Sequence, residues 1–241
     1  KHNVPVDVKK KLYSVDENLW GRAIEAADLE DPWREPPEDA YAWTRPVSET
    51  PDEPLYLEIG FEEGLPVSID GEEMRPVDLV QHLNVVAGQH GVGRIDHIEN
   101  RLVGIKSREV YEAPAAVVLH TAHKALEAMT LGKEQARFKA RVAQEYADLV
   151  YNGWWFSRHR EDLDAYVNST QRFVTGTVRV RLHKGTCAVT GRKSPLSLYI
   201  HDLATYDKGD KFDQSASPGF ITIYGLPLRT QGRVQGGKQP S

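Results

Sequence analysis

Chemistry-bearing side chains crowd one short stretch, residues 92–112, which reads VGRIDHIENRLVGIKSREVYE. Arg94, Asp96, Glu99, Asn100, Arg101, Lys106, Ser107, Arg108, Glu109 and Tyr111 all fall within it. A carboxylate accepts hydrogen bonds from an ammonium or ureido N–H, while guanidinium and hydroxyl groups hold a carboxylate. The mixture suits a small zwitterionic ligand. A salt-bridge network on a solvated strand face would use the same residues, and composition leaves both open.

Other signals carry less. Gly232 to Lys238, GRVQGGK, has the glycine and lysine spacing of a phosphate loop. Gln239 follows where a magnesium-binding hydroxyl is needed, so a Gly-rich accident is the simpler account. His120 and His123 sit three apart on an expected helix, with no third ligand nearby, and no metal site is expected. Cys187 lies among Ala188 and Val189 and reads as an inert thiol. Gly88, Gly91 and Gly93 read as a helix end.

The elements that must position these residues follow from periodicity. Ser14-Val15-Asp16-Glu17 has capping-box spacing and predicts a helix through Leu19, Trp20, Ala23 and Ile24. Residues 29–54 are proline-rich and acidic and predict a long loop, functional or lying on another subunit. Leu55, Leu57, Ile59 and Phe61 alternate with Tyr56, Glu58 and Gly60, a half-buried strand. Pro76 and Pro114 suit first helical turns. Thr130 and Ser157 are candidate caps for two further helices, and Asn152-Gly153 stops the first of these. Val178 to His183, Lys184-Gly185 and Thr186 to Thr190 spell a hairpin. Phe220 to Tyr224 predicts a strand or short helix, and from Arg229 the composition predicts a disordered tail. The order argues α+β with mostly antiparallel sheet packed by helices.

Composition bounds the function. The 241 residues carry 30 Lys and Arg against 35 Asp and Glu, a net charge of −5. That disfavours nucleic-acid or anionic-membrane partners. No apolar run is long enough for a spanning helix, and a single cysteine excludes a disulfide scaffold and suits a reducing, cytoplasmic setting. The chain starts at Lys1 with text that reads like mid-protein sequence, so a piece of something longer is expected.

Several motifs together resemble one family. YSVDENLWGRAIE, HGVGRIDHIENRLVGIKSREVYEAP, ADLVYNGWWFS, TGTVRVRLHKG, GRKSPLSLY and LATYDKGDKFDQ are similar to argininosuccinate synthase in its bacterial form, from about Lys1 to Leu228. The resemblance implies a synthetase and multimerisation domain over 1–228, with 229–241 as a tail. It implies ligation of citrulline to aspartate with ATP and magnesium, through a citrullyl-adenylate, by a homotetramer. It places ATP mainly on an N-terminal nucleotide-binding domain that this chain lacks. By position, it assigns citrulline contacts to Ser14, Glu99 and Tyr111. A further family serine falls on Ala23, which has no hydroxyl, so that contact is in doubt. Each position also has a plainer use: Ser14 as a cap with Glu17, Glu99 paired with Arg101 or Arg94, Tyr111 as a packed core residue. A non-catalytic ligand-binding or oligomerisation module is the alternative function if the chain exists alone.

Overall fold

The computed structural model describes residues 12–205 and 213–236, in two units, 1–198 and 199–241. In the first, strands β1 (Ser14–Glu17) and β2 (Arg22–Glu25) are followed by a long connection with three 3-10 turns. Strands β3 (Leu55–Glu62), β4 (Leu65–Ile69) and β5 (Glu72–Glu73) lead into helix α1 (Pro76–Gln89). Strands β6 (Arg94–Glu99) and β7 (Ser107–Glu112) precede helices α2 (Pro114–Thr130), α3 (Lys133–Tyr151) and α4 (Arg158–Gln171). The hairpin β8 (Gly176–His183) and β9 (Thr186–Lys193) ends the regular structure of this unit. The second unit holds α5 (His201–Ala204), α6 (Ser217–Tyr224) and α7 (Leu226–Gln235).

The strands form two antiparallel sheets, ordered β1-β2-β7-β6 and β5-β4-β3-β8-β9, so the α+β expectation holds. The larger sheet carries the main core. Alternation buries Leu57, Ile59 and Phe61 of β3 and Val178, Val180 and Leu182 of β8, against Leu83 of α1 and Val118, Ala122 and Leu126 of α2. Each of the larger of these side chains, Ala122 apart, contributes about 1.5–3 kcal/mol by leaving water. Lys184 and Gly185 both take positive φ (47° and 79°), as a tight two-residue hairpin turn requires. Pro76 and Pro114 stand in the first turns of α1 and α2, and the Ser157 side chain caps α4 by accepting from the Arg160 amide at 3.2 Å.

Three expectations need correction. The predicted helix over Ser14 to Ile24 is the β1–β2 hairpin. The Asn18 side chain accepts from the amides of Trp20 (2.8 Å) and Gly21 (3.2 Å), closing a turn where the capping-box spacing suggested a helix. Pairing of β2 with β7 then holds the segment extended. Thr130 does not cap α3; it ends α2, its hydroxyl donating to the Leu126 carbonyl at 3.0 Å, and Gly132 precedes α3. Residues from Arg229 to Gln235 are helical in α7, where Leu226, Leu228, Thr230 and Gln231 tolerate helix despite the glycines. Phe220 to Tyr224 takes the helical alternative, in α6.

The smaller sheet is covered on one side by the proline-rich connection. Ile24 and Val110 pack there with Leu29 and Ala40. The buried residues of that connection thus pack within this chain. Among the described residues, no helix is long and apolar enough to cross a membrane.

Candidate functional site

Strand β7 divides its side chains strictly between the two faces of the smaller sheet. Arg108, Val110 and Glu112 point under the connection. Arg108 donates to the carbonyls of Asp31 (2.8 Å) and Arg34 (2.9 Å) and pairs with Asp96 at 2.6 Å. Glu112, fully buried, accepts from Arg22 Nη1 (2.9 Å), the amides of Ala42, Trp43 and Thr44 (2.9, 2.8 and 2.8 Å) and Thr44 Oγ1 (2.8 Å). Arg94 of β6 joins this side, forked onto Glu38 at 2.8 Å and stacked 3.8 Å from the centre of the Tyr41 ring. It therefore lies on the face opposite Glu99.

The other face carries Ser107, Glu109 and Tyr111 of β7. Register brings further residues onto it: Ala23 is paired with Tyr111, Ser14 with Glu25, His97 with Glu109, and Glu99 with Ser107. Directly paired residues share a face. Ser14, Ala23, Glu99 and Tyr111 therefore all belong to one surface, although they come from four different strands.

Glu99 is the centre of this surface. Tyr111 Oη donates to its Oε2 at 3.3 Å, and Tyr151 Oη, from the end of α3, donates to its Oε1 at 2.9 Å. A cavity of about 500 Å³ surrounds the three, lined also by His97, Asn100, Arg101, Asp148 and Asn152. The Tyr111 phenol is pushed well above its ordinary range, first by burial and then by the charges of Glu99 and Glu109. Burial, reinforced by Glu25 and Glu99, raises the buried Glu109 carboxyl to about 7. Arg101, in the β6–β7 turn at φ +40°, hydrogen-bonds Ser107 at 3.1 Å and lies 3.6 Å from Glu25. The face is thus carboxylate-rich and suited to an ammonium or ureido donor.

Not every predicted residue meets the cavity. Ser14 is exposed at the sheet edge and Ala23 is half-buried; neither lines the cavity wall, though Ala23 flanks Tyr111. The run Lys106-Ser107-Arg108 splits: Ser107 faces the site, Arg108 the covered side, and Lys106 bonds the Asn100 side chain. Tyr151 and Asp148 stand in the motif ADLVYNGWWFS, but Tyr151 lies 52 positions from Glu99 and the sequence assigns neither a place in the site. The available signal was the spacing of Asp148, Tyr151 and Asn152, polar groups on one side of a helix end. A larger groove of about 920 Å³ runs between the β1–β2 turn, residues 42–46 and α1, but none of the sequence-predicted residues line it.

The remaining candidates have structural partners. His123 hydrogen-bonds Gln171 at 2.8 Å, and His120 packs edge-on against Trp20. Burial raises the Cys187 thiol to about 11, an inert value. Gly232 and Arg233 lie inside α7, where a helix replaces the open loop that a phosphate cradle needs, while Gly237 and Lys238 fall outside the described residues.

A comparison with known families decides the relationship. The family model described as Arginosuccinate synthase C-terminal domain matches residues 13–231. The chain belongs to this family. Argininosuccinate synthase of Dehalococcoides mccartyi is 61% identical over 232 residues, covering 96% of this chain and 57% of that protein. The enzyme of Symbiobacterium thermophilum is 58% identical over 239 residues, covering 99% of this chain and 60% of its own length. That of Bacillus pumilus is 57% identical over 235 residues, with 97% and 58% covered. The chain therefore spans somewhat more than half the length of the curated relatives it matches. The Arginosuccinate synthase C-terminal domain match takes in both sheets and every residue of the Glu99 face.

Proposed function

We propose that this chain forms the citrulline-facing wall of an argininosuccinate synthase. In the complete enzyme, the ureido oxygen of citrulline attacks the α-phosphorus of ATP, and pyrophosphate leaves. The aspartate amine then attacks the activated ureido carbon, and AMP leaves with formation of argininosuccinate. Activation is required because a urea carbonyl has no good leaving group. The protein's part is to place the reactants and screen developing charge.

The observation that carries this reading is Glu99, held by two phenols within a cavity of about 500 Å³ that Asp148 also lines, in a chain of this family. Glu99 accepts from citrulline N–H groups, and Tyr111 beside it is a second citrulline contact. Ser14 extends the contact surface at the sheet edge. Among the described residues, no group of three or more His, Cys, Asp or Glu side chains could hold a metal ion. Binding of ATP and magnesium is assigned to the portion of the relatives that this chain does not match. We also assign subunit contacts of a homotetramer to α6, whose Phe220, Ile221, Ile223 and Tyr224 are exposed. A cytoplasmic location agrees with the unpaired Cys187.

The test is Glu99→Gln in the complete enzyme. Loss of a charged acceptor in a shielded site raises citrulline KM roughly ten- to a hundredfold, with ATP KM unchanged. An unaltered citrulline KM and turnover would remove the assignment.

A further inference from the structure

We propose that Tyr151 is a positioning residue for ligand recognition, acting through Glu99. The inference rests on the reading of Glu99 as the acceptor for citrulline. Tyr151 stands on the last turn of α3, and its phenol reaches Glu99 Oε1 at 2.9 Å across the cavity. Tyr111, from β7, takes the other oxygen at 3.3 Å. The carboxylate is therefore gripped on both oxygens, one from the sheet and one from the helix.

The consequence is orientational. A glutamate side chain turns easily about its last torsion. A single phenol leaves that rotation open, whereas two phenols on different oxygens fix the carboxylate plane. Each oxygen keeps a second lone pair for the ligand. The helix end is itself well held. The Asn152 amide donates to the Asp148 carbonyl at 2.9 Å, Gly153 turns the chain at φ +75°, and the Trp154 amide returns to the Leu149 carbonyl at 2.9 Å. Farther along α3, Tyr146 Oη donates to Asp164 of α4 at 2.6 Å. The α3–α4 pair thus supplies a rigid second wall, with Asp148 and Asn152 beside Tyr151.

The decisive experiment is a double-mutant cycle in the complete enzyme, with Tyr151→Phe, Glu99→Gln and both together. Tyr151→Phe keeps the ring and removes only the hydroxyl. It is expected to weaken citrulline binding roughly three- to tenfold. Its kcat and ATP KM stay at parental values. In the Glu99→Gln background it should add nothing, because a residue acting through Glu99 has no further effect once the carboxylate is gone. Additive effects, or parental citrulline affinity in Tyr151→Phe, overturn the role of Tyr151 while leaving the Glu99 assignment intact. Parental affinity in Glu99→Gln overturns the underlying reading instead. A second readout needs no catalysis. The Tyr151 phenol is raised above 10.0, mainly by its hydrogen bond to Glu99. Its NMR titration in selectively labelled protein should therefore fall toward the ordinary value in Glu99→Gln. An unmoved titration also overturns the proposal.

Discussion

Ala23 and Tyr111 face each other as direct partners across the β2–β7 pair. A methyl group thus stands beside the phenol that grips Glu99, at the position where the resemblance expects a serine. Ala23→Ser places a hydroxyl there with little added volume. Citrulline binding is expected to tighten about three- to tenfold, the worth of one added hydrogen bond. Titration calorimetry at unchanged thermal stability measures it. Equal or weaker binding means that the missing hydroxyl is not what limits contact at this position.

The pH dependence of stability follows from Glu109. Its carboxyl is raised from 4.5 to about 7 by burial first, then by Glu25 and Glu99. The folded chain holds this proton more tightly than the unfolded chain does. The associated stability is fully present below about 4.5 and is lost as pH rises through 7. Glu109→Gln stays neutral throughout. It should exceed the parent by about 1–3 kcal/mol at pH 8 and by clearly less at pH 5. Denaturation at both pH values decides it, and a gap independent of pH counts against the assignment.

Glu112 offers a test of the covered face. Five donors converge on its carboxylate, from Arg22, Ala42, Trp43 and Thr44, the last contributing both amide and hydroxyl. Glu112→Gln replaces one acceptor oxygen with an NH₂ group and leaves Arg22 with only the more distant, exposed Glu17 carboxylate, at 3.4 Å, as counter-charge. The expected cost is about 3–5 kcal/mol. It appears as a lower urea midpoint at constant slope. A loss below about 1 kcal/mol would mean that the connection holds its place without this staple.

Local patterns were legible wherever one residue type decides the geometry. Pro76, Pro114 and Ser157 marked helix starts, and Lys184-Gly185 marked the hairpin turn. The strand β3 was legible because one of its faces is buried and the other is not. Ser14 to Ile24 was misread because the same Ser-x-x-Glu spacing serves a cap or a strand. Only the pairing with β7, nearly 90 residues away, selects the strand. The site was legible in part. Glu99 and Tyr111 stood out through the motif around them, and their meeting follows from the β6–β7 hairpin. Tyr151 was hidden, because its contact depends on how α3 lies against the sheet.

The alternation along β7 has a consequence for how this region can change length. Every odd position from Ser107 to Tyr111 serves the open face, and every even one from Arg108 to Glu112 serves the covered face. One residue inserted within the strand would exchange the two sets, turning Glu112 outward and Tyr111 beneath the connection. The same insertion among Leu102 to Gly104, beyond the cavity-lining Asn100 and Arg101, would lengthen an exposed turn. A one-residue insertion is therefore expected to be tolerated at the hairpin tip and not within β7.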